Sequence, residues 1–168
     1  TNPDIYVGDK SLPMTRALAL NHSSYGIRKN LDTLRLGTKN RVPFLNKSNK
    51  GVILGHIKAN AKEKGVYLDF INGHQEHIHC ILSLSADQTL SKSIQLLKGE
   101  SSFWINKNNL CSGKFEWSEE YFAVSVSESQ INAVREYIKN QEKHHSKKSW
   151  HEEYNEFIKK YGFAKMKG

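Results

Sequence analysis

Val66-Tyr-Leu-Asp-Phe-Ile71 and His77-Ile-His-Cys-Ile-Leu-Ser-Leu84 decide the fold of this chain. Side chains on a strand point alternately to its two faces. In the second stretch Ile78, Cys80, Leu82 and Leu84 therefore share one continuous apolar face, which other elements must cover. His77 and His79 share the opposite, less apolar face. The first stretch predicts a partner strand, with Val66, Leu68 and Phe70 on one side. Asn72-Gly73 is a turn signal, so the two strands read as a hairpin joined through Asn72 to Glu76.

Upstream, Leu31 to Thr38 alternates apolar and polar residues and predicts another strand. Asn40-Arg41-Val42-Pro43 turns the chain. A helix capped by Asn46 or Ser48 runs to about Lys64, with Val52, Ile53, Ile57 and Ala61 at helical spacing and Gly65 closing it. Downstream, Leu90, Ile94, Leu97 and Ile105 stripe a second helix ending near Asn106. Asn108 to Gly113 is a loop, and Phe115 to Val126 holds a fourth strand. Ser127 and Gln130 have the spacing of a capping box for a third helix reaching about His144, and a last helix covers about Ser149 to Tyr161. The order β-α-β-β-α-β matches the split βαβ, ferredoxin-like arrangement. The fold class is α+β, with an antiparallel sheet whose helices lie on one face and leave the other for a site or a partner. Residues 1–30 form an irregular arm; residues 31–168 form a single domain.

The chain of 168 residues carries 25 Lys+Arg against 17 Asp+Glu, a formal charge of +8, and its pI is about 9.4. Such a balance suits a polyanionic partner, nucleic acid being the commonest, although it also serves solubility. No apolar run approaches the roughly 18 residues that a membrane span needs. Two cysteines, Cys80 and Cys111, are too few for a disulfide framework. With no signal-peptide pattern at the first residues, a reducing intracellular setting is expected. There is no internal repeat and no low-complexity segment.

Two imidazoles two residues apart on a strand can reach one divalent cation. A pair of solvent-exposed strand histidines is the plain alternative. On the third helix Ile131, Val134 and Ile138 form the buried stripe. Tyr137 and Gln141, one turn apart, lie at its edge. A phenol there can present its oxygen to a site and an amide can offer a carbonyl ligand. Plain packing for Tyr137 and solvation for Gln141 remain open on spacing alone. The following residues are rich in cations: Lys139, Lys143, His144, His145, Lys147 and Lys148. They read as phosphate contacts or as a solvated basic face. Trp104, Trp117 and Tyr121 fit base stacking or ordinary core packing.

His-hydrophobic-His on a strand, followed by a helix with Tyr-x-x-x-Gln, resembles the HUH endonucleases of the Y1 transposase type, the IS200-like and REP-associated tyrosine transposases. The resemblance extends to Thr38–Pro43, Tyr67–His79, Leu97–Trp104, Phe115–Tyr121 with Ser125–Ser127, and Tyr137–His145, in order, over about residues 31–162. Where many relatives read Trp-Gln-x-Gly-Tyr, this chain reads Trp117-Ser-Glu-Glu-Tyr121, without the glycine of the local turn.

The resemblance implies a metal-dependent transposase that cleaves and rejoins single-stranded DNA through a 5′-phosphotyrosine intermediate. It implies Tyr137 as nucleophile on a C-terminal catalytic helix lying against the open face of the sheet. His77, His79 and Gln141 would hold Mg²⁺ or Mn²⁺. Arg35, Lys39, Arg41, Lys98, Lys139 and Lys143 are the expected DNA contacts. Single-stranded or hairpin DNA is the expected partner, with a homodimer, no membrane, and a bacterial cytoplasmic setting, nucleoid-associated when DNA is bound. The competing reading is a non-catalytic, domesticated single-stranded nucleic-acid-binding protein on the same fold.

Overall fold

The computed structural model of the chain describes residues 30–140, together with Glu152, Glu156 and Lys159. The expectations for the N-terminal arm and for Gln141, Lys143, His144 and His145 lie outside the described residues. So does the last helix, apart from those three residues, which are helical and exposed.

Within residues 30–140 the elements follow in the expected order: β1 (Asn30–Thr38), α1 (Lys50–Glu63), β2 (Tyr67–His74), β3 (His77–Leu84), α2 (Leu90–Lys107), β4 (Trp117–Val126) and α3 (Ile131–Lys139). The sheet order is β2-β3-β1-β4, and every neighbouring pair is antiparallel. This is the split βαβ, α+β architecture. β3 enters between the two strands that α1 connects, so the strand carrying His77 and His79 is central.

One face of the sheet meets α1 and α2. Leu34, Leu36, Ile78, Cys80, Leu82 and Leu84 from the strands pack with Ile53, Ile57, Ile94, Leu97 and Ile105 from the helices. α3 lies on the other face, where Ile131, Val134 and Ile138 close over Ile81.

Four local expectations need correction. First, Val66 and Leu68 are core residues, but Phe70 is not on their side. The β2–β3 register slips between Leu68 and Phe70, leaving Asp69 as the extra residue. An odd insertion flips every later side chain to the other face, so Phe70 packs with the α3 cluster. Second, Asn72-Gly73 is not the turn. β2 continues to His74, which pairs with His77, and Gln75-Glu76 make the reversal. Gly73 is needed for another reason: a Cβ there would stand 2.5 Å from the His77 carbonyl oxygen.

Third, α1 begins at Lys50, and of the two expected caps only Asn46 acts as one, its Oδ1 accepting from Ser48 N at 2.9 Å and Asn49 N at 3.2 Å in the turn before the helix, while Asn49 itself caps nothing. The amide of Asn49 donates instead to the carbonyls of Phe44, at 2.9 Å, and Leu110, at 2.8 Å. It thereby ties two loops together. Val52 faces solvent rather than the core. Gly65, at φ +73°, does end this helix. Fourth, Ser127 caps nothing: its hydroxyl meets Ser129 Oγ at 3.0 Å, and Glu128–Gln130 form a short 3₁₀ turn before α3.

Candidate active site

His77 and His79 stand on the α3 side of β3, as the alternation requires, but they are not the exposed pair that the sequence also allowed. His77 is 0% and His79 is 7% exposed. Their rings meet edge to face with centroids 5.1 Å apart. Burying two imidazoles on a sheet face is costly unless their nitrogens are used. Helix α3 brings the third group. The Tyr137 ring stands edge-on to His79, centroid to centroid 5.9 Å, and packs at the margin of the small α3 core.

The position of α3 follows from a few side chains of β2. Asn72, opposite His79 in register, donates from Nδ2 to the carbonyls of Ile138 (3.0 Å) and Lys139 (3.3 Å). Carbonyls in the last turn of a helix have no intrahelical partner, so this amide caps α3 and pins its end above His79. Asp69, the residue displaced by the bulge, accepts from Arg135 Nε at 2.8 Å. The bulge thus turns a carboxylate toward α3.

At the end of the hairpin, Glu76 lies between two histidines. Its Oε1 is 3.3 Å from His77 Nδ1 and its Oε2 is 3.3 Å from His74 Nδ1. The hydrogen bond to His77 is the main cause that holds the Glu76 carboxyl at about 2, against the upward push of partial burial. The turn is fixed from β1: the Glu76 carbonyl accepts from Thr38 N at 2.8 Å, and the Thr38 hydroxyl lies between that carbonyl, at 3.1 Å, and the Val42 carbonyl, at 2.8 Å. His74 and Glu76 were absent from the sequence-based candidates, and so were Asn72 and Asp69. The signal for the first two is the run His74-Gln-Glu-His77, an acid enclosed by imidazoles.

The donor set suits a divalent ion in type, since imidazole nitrogen is a common ligand for such ions. Among the described residues no group of three or more His, Cys, Asp or Glu side chains forms a metal cage. A site on His77 and His79 therefore calls for a donor from beyond that set, and Gln141, expected in that role, lies outside the described residues.

The expected DNA contacts fall in different places. Arg35 pairs with His79 on one side and Phe122 on the other. With Arg41, Glu76, Glu120, Tyr121 and Phe122 it lines a cavity of about 250 Å³. Arg41 holds φ +55° just after β1, a conformation that costs a non-glycine residue about 1 kcal/mol or more. Lys39 pairs with Glu116 at 3.3 Å, and Lys139 lies 3.7 Å from Glu136.

Lys98 is on α2, and its ammonium is 2.9 Å from the carbonyls of both Ser118 and Glu119. Those carbonyls belong to a register shift, Leu36 pairing with Tyr121 but Thr38 with Trp117. The segment that departs from the Trp-Gln-x-Gly-Tyr pattern is thus a strand irregularity held by a lysine. Of the aromatics, Trp117 is core, with Nε1 donating to Ser101 Oγ at 2.9 Å. Trp104 stacks on His56 at 3.7 Å. Tyr121 is exposed, with the Lys98 ammonium 5.4 Å from its ring centre. No helix of the described residues is long and apolar enough to cross a membrane.

Two solved structures share this architecture. One is a protein of Deinococcus radiodurans R1 described as a transposase, at 20% identity and a TM-score of 0.58, over 73% of this chain and 98% of that one. The other is the REP-associated tyrosine transposase bound to a REP hairpin, at 15% identity and a TM-score of 0.53, over 71% of this chain and 70% of that one. At such identities the likeness establishes the fold. No curated protein matches the chain. The family model for "Transposase IS200 like" matches residues 34–141, a span that starts in β1 and takes in α1, α2, α3, both histidines and Tyr137. On that match, which covers well over half of its length, the chain belongs to the IS200-like transposase family.

Proposed function

We propose that this protein cleaves and rejoins single-stranded DNA, using Tyr137 as the nucleophile. One observation carries the reading: the phenol of α3 and the two buried imidazoles of β3 meet on one face of the sheet, with Tyr137 and His79 5.9 Å apart by ring centre. Nucleic-acid binding alone has no need of a tyrosine against buried histidines.

The Tyr137 oxygen attacks a backbone phosphorus. The P–Oη bond forms, the P–O3′ bond breaks, the phenol loses its proton and the 3′ oxygen gains one. The downstream fragment stays attached through its 5′ phosphate, so the bond energy is retained and the 3′-OH can reverse the step. His77 and His79, with Gln141, would hold Mg²⁺ or Mn²⁺. When bound, that ion supplies charge neutralisation at the nonbridging oxygens and favours the phenolate over a phenol whose ordinary pKa is about 10. Asn72 and the small apolar cluster orient α3, and so Tyr137, before substrate arrives.

Arg35 and Arg41, which line the neighbouring cavity, suit the strand's phosphates, and Lys39, Lys139 and Lys143 add to the basic surface. The hairpin in the REP-associated relative supports single-stranded or hairpin DNA as substrate. A homodimer belongs to the same reading, β2 and β4 being the edge strands of the sheet.

The test uses 3′-labelled single strands, with and without a hairpin, taken from the DNA flanking the coding sequence, with Mn²⁺ or Mg²⁺. The wild type should become covalently labelled on a denaturing gel, and mass analysis should place the adduct on Tyr137. Tyr137→Phe should lose labelling by at least about a thousandfold while still retaining the DNA. Retention of DNA by the wild type with no adduct on any strand would favour the non-catalytic binding protein instead.

A further inference from the structure

We infer that Glu76 is a positioning residue. Its carboxylate bridges the Nδ1 atoms of His77 and His74, fixes His77 as the Nδ1–H tautomer, and so makes Nε2 the nitrogen that His77 offers to the site. The inference deepens the reading of His77 as a metal ligand and rests on it for its purpose, though not for its geometry.

Three observations support it. The side chain of His77 is completely buried, so its Nδ1 has to be satisfied by protein, and the Glu76 oxygen 3.3 Å away provides this. The other oxygen of the same carboxylate is 3.3 Å from His74 Nδ1. With a ring nitrogen against each of its oxygens, the carboxylate is held behind the histidine rather than swinging round as a ligand in front of it. Finally, the backbone that carries it is clamped. Thr38 N donates to the Glu76 carbonyl at 2.8 Å and Leu45 N to the Gln75 carbonyl at 2.9 Å, and β2 runs so close at Gly73 that no Cβ fits.

The tautomer follows from the donor inventory. A carboxylate only accepts. A neutral His77 carrying its proton on Nε2 would set a nitrogen lone pair against a carboxylate oxygen, two acceptors in contact. With the proton on Nδ1 the contact becomes a charge-assisted hydrogen bond, and Nε2 is left with its lone pair directed away from Glu76. Outer carboxylates that hold a ligating imidazole in this way fix its tautomer and raise its basicity. His74, on the neighbouring strand and half-exposed, completes the bridge: its ring centre is 6.3 Å from that of His77.

The experiment is nitrogen NMR of the histidine-labelled full chain without metal, joined to Mn²⁺ titration by calorimetry, on the wild type, Glu76→Gln and Glu76→Ala. In the wild type, His77 should show a protonated Nδ1 and a bare Nε2. Alanine should release the tautomer and weaken Mn²⁺ binding by about tenfold to a hundredfold. Glutamine, whose carbonyl oxygen still accepts one N–H, should retain the tautomer in part and lose less affinity than alanine does. A wild-type His77 protonated on Nε2 overturns the inference without any variant, and so does an alanine variant that keeps both tautomer and affinity. A wild type that shows the Nδ1–H tautomer but takes up no Mn²⁺ sinks the metal reading under the proposed function and leaves the role of Glu76 standing.

Discussion

On the side covered by α1 and α2, the sheet contributes an unbroken aliphatic surface, and phenylalanine and tryptophan rings close its end. On the side covered by α3, four buried aliphatic residues carry the packing, and the rest of the ground goes to His77, His79 and Tyr137. The first face stabilises; the second positions. Imidazoles and a phenol cannot sit in a dense core without losing the space that a substrate needs, so they stand beside a core only large enough to orient one helix.

The largest expected effect tests whether the two faces open independently. Ile78→Ala, in the large core, should cost about 2–5 kcal/mol, a large share of a typical stability of about 5–15 kcal/mol, and shift the whole urea transition. Ile138→Ala removes a similar buried volume from α3. Its cost should appear first as faster hydrogen exchange in α3 amides, with a smaller shift of the global midpoint, because a short helix on a small cluster can undock alone. Equal global shifts for the two variants, with no separate opening of α3, would erase the distinction.

Next in size is Gly73→Ala. The new methyl would meet the His77 carbonyl at 2.5 Å and Ile78 Cγ2 at 2.9 Å, so the β2–β3 spacing must yield, at about 1–3 kcal/mol by analogy with overpacked cores. The hairpin is shared by both faces, so thermal stability and adduct formation should fall together. A variant that loses stability alone would show that the strand, not the position of His77, absorbs the strain.

Asn72→Ala should separate the two again. Losing one amide that caps two carbonyls costs about 1 kcal/mol, with little change on the α1–α2 side. Adduct formation should fall by more than that free energy explains, since the end of α3 next to Tyr137 loses its tether. A stability loss matched by an equal loss of activity would make Asn72 an ordinary cap.

The α1–α2 face was legible from residue order because it obeys alternation. Ile78, Cys80, Leu82 and Leu84 need only the period of a strand, and Ile53, Ile57 and Ala61 that of a helix. The histidine pair and Tyr137 were legible as a motif, and alternation alone puts both histidines on the side opposite the large core. What escaped depends on partners distant in sequence. The bulge at Asp69 is a property of pairing, not of the β2 sequence, so the side on which Phe70 lies could not be read from periodicity. Asn72-Gly73 has the composition of a turn, but here the amide caps a helix that begins some sixty residues later and the glycine relieves a close approach. Lys98 was read by its charge alone, and that its ammonium meets the carbonyls of Ser118 and Glu119 depends on a second register shift. Glu76 was missed for a related reason. Its role depends on the turn falling at Gln75-Glu76, three residues later than the Asn72-Gly73 signal suggested.

The smallest effect expected in the native state concerns the thiols, and it reports on the same contrast. Cys80 points into the α1–α2 core and is fully buried, and burial pushes its thiol up to about 12 from an ordinary value of 9.0. Cys111, in the α2–β4 loop, is half-buried, and that burial raises its thiol as well. Only thiolate reacts with a disulfide reagent, so at pH 8 the two should differ in rate by orders of magnitude, Cys111 being modified in the folded protein and Cys80 only when its face opens. The rate at Cys80 then follows the population of the open form and should drop steeply with any change that stabilises the large core. Because the unfolded thiol ionises near 9.0 while the folded one does not until about 12, the unfolded state binds fewer protons in that window, so native stability should decline as pH rises through it. Ile138→Ala should leave the Cys80 rate nearly unchanged if α3 opens by itself. Acceleration of Cys80 in step with α3 hydrogen exchange would mean that the positioning face and the stabilising face share one opening, and that the burial of His77 and His79 depends on the whole fold rather than on one short helix.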